Sequence, residues 1–231
     1  MVTQIDYLPL SAVLPFLDRK TLYRFQWGYA GDNFQKECDA IFDRLVSEDR
    51  KQHVIRLKAL YGYYSCLSEG NEIIVFDPTE EKEICRLRFP RQSTGEKLCV
   101  ADFVSAREKT CVAFQLVTVG QQASDYARKL YEADQYKEYL YWRGFNAEVA
   151  EAAAVFIFDR IQKELKLPQE QGVRFSFGYS SCPNLEEQDK LLALLESEKI
   201  GVSANDCHQL IPEESTAAFV IINHQACYFV L

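Results

Sequence analysis

The chain has 231 residues, 48% hydrophobic and 26% charged, with a formal net charge of -8. That length suits one large domain or two small ones, and the acidic balance excludes a general nucleic-acid binder, which needs a basic face. No apolar run approaches the roughly 18 residues of a membrane span, and the N-terminus lacks the basic-then-apolar pattern of a signal peptide, so a cytoplasmic protein is expected.

Eight cysteines are spread from Cys38 to Cys227, and none forms a Cys-x-x-Cys pair. In a chain without a secretion signal they read as reduced, mostly buried thiols. The close ligand pairs of a zinc site are missing.

Val2 to Leu17 mixes strand-like and helical signals. Asp18 then stands before an aromatic helical segment, Lys20 to Tyr29, in the position of a helix N-cap. Asn33 to Lys51 carries Phe34, Cys38, Ile41, Phe42 and Leu45 on one helical face. His53 to Tyr64, a turn at Ser68 to Asn71, and Glu72 to Phe76 form a strand–turn–strand unit. Further β-rich runs are Glu83 to Pro90, Cys99 to Val104 and Cys111 to Val119.

Two helices follow, Asp125 to Leu140 and, after Gly144, Ala147 to Leu165. The second is apolar on nearly every side from Ala152 to Phe158, which predicts burial. Glu151 borders that stretch, where a carboxylate needs a partner; a salt bridge at the helix start is the plain reading. After a turn at Ile211-Pro212, Ala217 to Ile222 and Cys227 to Leu231 are expected strands flanking a turn with His224. Strands and helices come in mixed order without steady βαβ alternation, and no Gly-x-Gly-x-x-Gly follows a strand. A Rossmann sheet is therefore disfavoured.

Arg174 to Pro183 reads Arg-Phe-Ser-Phe-Gly-Tyr-Ser-Ser-Cys-Pro. A helix with Leu185, Leu191, Leu192 and Leu195 at helical spacing follows. Asn184 is placed as its N-cap and Glu187 at the third position, a capping-box pattern, with Gly201 ending it. Locally this is a surface turn and a cap. The same loop also brings a bidentate carboxylate donor in Arg174 and a close backbone approach at Gly178 to a helix N-terminus with free N–H groups.

Arg-x-x-x-Gly-Tyr-x-x-Cys-Pro followed by a Gln-containing helix with a Leu-Leu pair resembles the S-adenosylmethionine-binding loop of the activation domain of cobalamin-dependent methionine synthase. Ala101-Asp-Phe-Val104 and the Ala-Glu-Ala around Glu151 are similar to family segments in the same order. The resemblance runs from about Asp18 to the C-terminus. It implies an α+β fold over residues 1–231: one curved domain with a twisted, mainly antiparallel sheet flanked by helices.

The resemblance also implies a site. Asp18, Glu151, Arg174, Ser176, Gly178, Tyr179 and Tyr228 match the family's S-adenosylmethionine-binding positions. Arg174 then takes the ligand carboxylate, Asp18 and Glu151 the ammonium, and Ser176, Gly178 and Tyr179 the adenosine. Two matches depart slightly. The spacing from Asp18 to Trp27 is one residue longer than in the family, and Cys227 competes with Tyr228 for its place. Asp102 and His224 are left outside the site, as an acidic residue closing a strand and a turn histidine.

In the family, the domain docks over a cobalamin domain holding cob(II)alamin. A flavodoxin-type donor supplies an electron, and S-adenosylmethionine methylates the cobalt. The expected partners are a cobalamin-binding domain of methionine synthase or another corrinoid protein, with no nucleic acid, no membrane and no resident metal. No self-contained active site is expected. Because Met1 stands almost at the start of the resemblance, the reading is of a chain acting in trans on a separate cobalamin protein. An independent S-adenosylmethionine-dependent methyltransferase and a non-catalytic interaction protein stay open beside it.

Overall fold

In the computed structural model, residues 2–31, 33–79, 81–168 and 171–231 are described. In chain order the strands and helices are β1 (Val2–Ile5), α1 (Leu10–Val13), α2 (Arg19–Thr21), α3 (Gln35–Gln52), β2 (Lys58–Glu69), β3 (Glu72–Phe76), β4 (Glu83–Arg88), β5 (Thr110–Thr118), α4 (Gln121–Glu132), α5 (Tyr136–Glu164), β6 (Val173–Ser176), α6 (Glu186–Leu195), β7 (Ser203–Ala204), β8 (Leu210–Ile211) and β9 (Ser215–Ile221). The fold is α+β, as expected.

Seven strands form one sheet in the order β4-β3-β2-β5-β9-β6, every pairing antiparallel. The long β2 carries two partners end to end on one edge: β1 opposite residues 59–62 and β3 opposite residues 65–69. β5 lies between β2 and β9.

Both faces of the sheet are covered, so strand side chains are buried in alternating directions. Ala113 and Val117 of β5 pack with α3 and α5, whereas Val112, Phe114 and Leu116 pack on the opposite face with α6. Gln115 faces α5 and donates to the Ala154 carbonyl at 3.0 Å. The alanines Ala152, Ala153 and Ala154, all nearly or fully buried, let α5 lie close on the sheet. The described residues contain no helix long and apolar enough to cross a membrane.

Four local expectations are corrected. The helix break near Gly144 is absent: α5 runs unbroken through it, and the chain turns instead at Ala133–Gln135, where Asp134 takes φ 58°. The position has no room for a side chain: a Cβ at Gly144 would meet Gln26 Cβ at 2.8 Å and the Trp27 ring at 3.0 Å. The glycine serves packing rather than a break.

The capping box at α6 is not formed. The Asn184 side chain does accept from the Glu186 N–H at 3.1 Å. The Glu187 carboxylate turns away to the Arg88 N–H of β4 (2.8 Å) and to Lys190, because an open strand N–H competes for it. Val100–Phe103 is a 3-10 turn rather than a strand, with Asp102 bonded back to the Cys99 N–H at 2.9 Å. Residues 226–231 carry no strand; they are tied down by Ser181, whose hydroxyl donates to the Phe229 carbonyl at 2.7 Å and accepts from its N–H at 3.1 Å.

The segment from Asp18 to Trp27 is not a regular α-helix throughout. Leu22–Gln26 forms a π-turn, closed by the Trp27 N–H on the Leu22 carbonyl at 2.9 Å. A π-turn takes in one residue more than an α-turn and occurs often at functional sites. Trp27 then docks on α5, its ring N–H donating to the Tyr141 carbonyl at 3.0 Å.

Candidate functional site

β6 and β9 run side by side in register, with Arg174 opposite Val220 and Ser176 opposite Ala218. This pairing sets the Arg174 side chain toward α5. Its Nη2 lies 2.9 Å from Oε2 of Glu151, whose Oε1 accepts the Thr216 hydroxyl at 2.9 Å. Helix α5, strand β6 and strand β9 thus each contribute one member of a linked triad.

The Arg174 side chain is 17% exposed. Its Nη1 is buried without a hydrogen-bond partner. A buried guanidinium N–H left unpaired costs roughly 1–3 kcal/mol or more. Buried polar groups are normally paired, so this nitrogen calls for an acceptor.

Two adjoining clefts open beside Thr216, the smaller of them also against Glu151; Arg174 lines neither. One, about 430 Å³, is bounded by Gln26, Gly144, Ala147, Glu151, Tyr179 and Thr216. The other, about 560 Å³, is bounded by Ser176, Tyr179, Gln188, Asn205, Ile211 and Thr216. Tyr179, Glu213, Ser215 and Thr216 border both, so together they make one elongated groove. Tyr179 stands at its middle, 63% exposed. The charge of Glu151 and then burial raise the pKa of its hydroxyl.

The loop that presents Tyr179 is a tight turn. The Gly178 N–H donates to the Cys182 carbonyl at 2.9 Å, and the Cys182 N–H to the Tyr179 carbonyl at 3.0 Å. Gly178 adopts φ +85°, and a Cβ there would meet Leu185 at 3.1 Å. Conformation and space both call for glycine. Tyr228 packs its ring on Phe175 and donates its hydroxyl to the Arg174 carbonyl, which supports the β6 end of the groove from outside.

Of the residues singled out from sequence, Glu151, Ser176 and Tyr179 bound the groove. Arg174 lines neither cleft and meets the groove through its pair with Glu151, Gly178 shapes the turn that carries Tyr179, and Tyr228 lies against the Arg174 backbone. Asp18 is not among the residues that bound either cleft. It caps α2, accepting from the Lys20 N–H (2.9 Å), the Thr21 N–H (3.2 Å) and the Thr21 hydroxyl (2.7 Å). The bonds from Thr21 hold its carboxyl below the usual range. Its charge is felt at the site through Glu148, whose pKa burial raises first, with Glu151 and Asp18 adding to the rise.

Sequence reading missed Gln26, Glu148 and Thr216. Glu148 stands one helical turn before Glu151, a spacing that shares a face; Thr216 carried no local signal, since only strand register places it. The described residues contain no cluster of His, Cys, Asp and Glu that could hold a metal ion. Asp102 lies away from the groove, paired to Arg91, and His224 is exposed.

A groove with Glu151, paired to Arg174, at one wall and an exposed tyrosine at its middle has the charge and shape that could take a small ligand with both a charged and a planar part. Comparison with known proteins shows the family. The family model described as the activation domain of vitamin B12 dependent methionine synthase matches residues 26–231. This chain belongs to that family.

Among its relatives, methionine synthase of Mycobacterium tuberculosis is 35% identical over 92% of this chain, and that of Mycobacterium leprae is 33% identical over 97%. The chain spans about a fifth of those relatives, 21% and 22% of their lengths. A crystal structure of the MetH reactivation domain bound to AdoHcy matches all of this chain and 81% of its own, with a TM-score of 0.90 and 18% identity. At that identity it shows the shared fold.

Proposed function

We propose that residues 1–231 form one activation domain that binds S-adenosylmethionine and serves the reductive methylation of cob(II)alamin. The cobalamin is held by a partner, either a cobalamin-binding domain of methionine synthase or another corrinoid protein. A flavodoxin-type donor supplies the electron. The observation that carries the reading is the buried, unpartnered Nη1 of Arg174 beside Glu151. A ligand carboxylate satisfies that nitrogen, and the ligand ammonium then lies against Glu151.

The assignment of parts follows from charge. Arg174 offers one fork nitrogen to Glu151 and the other to the ligand carboxylate. Glu151, and Asp18 at longer range, place negative potential near the ammonium and the sulfonium. Ser176 and Tyr179 line the length of groove that suits adenosine, Gly178 forms the turn that brings backbone close to it, and Tyr228 holds the Arg174 backbone in place. The domain positions the methyl donor, and the sulfonium supplies the methyl group to reduced cobalt in the partner. AdoHcy, found in the fold neighbour, is what remains of S-adenosylmethionine after that transfer.

The test has two arms. Calorimetry with S-adenosylmethionine is expected to give one site. Mixing the protein with a cobalamin protein held as cob(II)alamin, S-adenosylmethionine and a reducing system is expected to move the spectrum to methylcobalamin, far more slowly with Arg174→Ala. Tyr179→Ala is expected to slow this step more than it weakens binding. Equal methylation without this chain overturns the reactivation reading, and methyl turnover on a small molecule without any corrinoid favours an independent methyltransferase.

A further inference from the structure

The end of the π-turn reaches the smaller cleft. Gln26, the last residue of that turn, lines the cleft with Gly144, Ala147 and Glu151. Its side-chain amide nitrogen donates to Oε1 of Glu148 at 3.0 Å. Glu148 is 6% exposed, and of the hydrogen bonds between side chains at this wall, the one to Gln26 is what engages its carboxylate. With the amide nitrogen held inward, the Gln26 carbonyl oxygen is left as an acceptor on the exposed side. Gly144 permits the approach, since any Cβ there would collide with Gln26 Cβ at 2.8 Å.

Three features therefore converge on one side chain: a π-turn, a mid-helix glycine and a buried carboxylate. A bland packing role does not require the carboxylate. Burying Glu148 is costly, and its bond to Gln26 orients a cleft-lining amide in return. We infer that Gln26 is a further ligand-binding residue, its carbonyl accepting from the ammonium of the amino-acid arm beside Glu151, and that Glu148 is the positioning residue that fixes Gln26. The inference rests on the S-adenosylmethionine reading above.

Calorimetry on the full chain tests it, with S-adenosylmethionine and with methylthioadenosine, which lacks the amino-acid arm. Gln26→Ala is expected to weaken S-adenosylmethionine by roughly tenfold, the order for one hydrogen bond to a charged group, and to leave methylthioadenosine unchanged. Gln26 is exposed, so its truncation leaves the core intact, which thermal melts verify. Glu148→Ala is expected to match Gln26→Ala, Glu148→Gln to recover most of the affinity because its carbonyl still accepts from Gln26, and the double alanine variant to be no worse than Gln26→Ala.

Wild-type affinity for S-adenosylmethionine in Gln26→Ala overturns the inference while leaving the binding reading standing. So does an equal loss for both ligands, or losses that add in the double variant. Failure of the unaltered chain to bind S-adenosylmethionine overturns the binding reading itself. Should Glu148→Ala not fold, Gln26→Ala and Glu148→Gln decide the matter.

Discussion

Arg174 and Glu151 meet across the junction of strand β6 and helix α5, with Nη2 and Oε2 at 2.9 Å, while the second terminal nitrogen of Arg174 stays buried and unpaired. The pair is half of an interaction that a ligand carboxylate completes. Arg174→Ala should weaken S-adenosylmethionine by about 1.5–3 kcal/mol, roughly 10- to 150-fold. Arg174→Lys should recover little, because a point charge cannot serve Glu151 and a carboxylate with two parallel donors. Unchanged affinity in Arg174→Ala would refute the assigned role.

Gly144 tests the docking of the π-turn on α5. Alanine is the better helix former by about 1 kcal/mol, so an unconstrained site would gain stability. Here the added Cβ meets Gln26 Cβ at 2.8 Å and the Trp27 ring at 3.0 Å, and overpacking costs typically about 1–3 kcal/mol. Gly144→Ala is expected to lower the urea midpoint and also to weaken ligand binding. A stabilised variant with unchanged binding would show that the turn moves aside freely.

The pH dependence has a clear sign at Asp102. The Arg91 guanidinium grips its carboxylate with two bonds of 2.7 Å and holds its pKa below the usual range. A carboxyl depressed in the folded state stabilises above its unfolded pKa of about 4 and loses that contribution as pH falls through the folded value. Asp102→Asn should therefore lower Tm at neutral pH, modestly because the pair is about one-third exposed. The gap to the unaltered chain should close on acidification below about pH 4. A gap constant with pH would point to packing instead.

The thiols should divide by burial. Cys207 and Cys227 are exposed, and the other six are buried or partly buried. Burial pushes the Cys182 thiol up to about 12 and those of Cys38, Cys66 and Cys85 to about 11. A disulfide-exchange reagent at mildly alkaline pH should modify two thiols quickly in the native protein and all eight after denaturation. Rapid modification of four or more would contradict the packing around Cys66 and Cys182.

Much of this protein was legible from its sequence because the relevant signals are local. Alternation in Glu83–Pro90 marked a strand, the apolar stretch after Glu151 marked a buried helix, and the Arg174-to-Pro183 motif named the loop that carries Arg174, Gly178 and Tyr179. Local pattern also misled. A glycine in a helix reads as a break, and an Asn followed by Glu three residues on reads as a capping box, unless the partners across the fold are known. Gly144 is shaped by Gln26, distant in sequence, and Glu187 is claimed by a strand N–H of β4. Thr216 reaches Glu151 only because β9 pairs with β5 in a register that sets Thr216 opposite Val117, and Glu148 reaches Gln26 across a π-turn docked on α5. Chain periodicity sets which residues share a face; it carries no record of which distant face they meet. That choice belongs to the packed tertiary structure, where the pairing of two strands and the close approach of a turn to a helix bring the charges of the groove within hydrogen-bond reach.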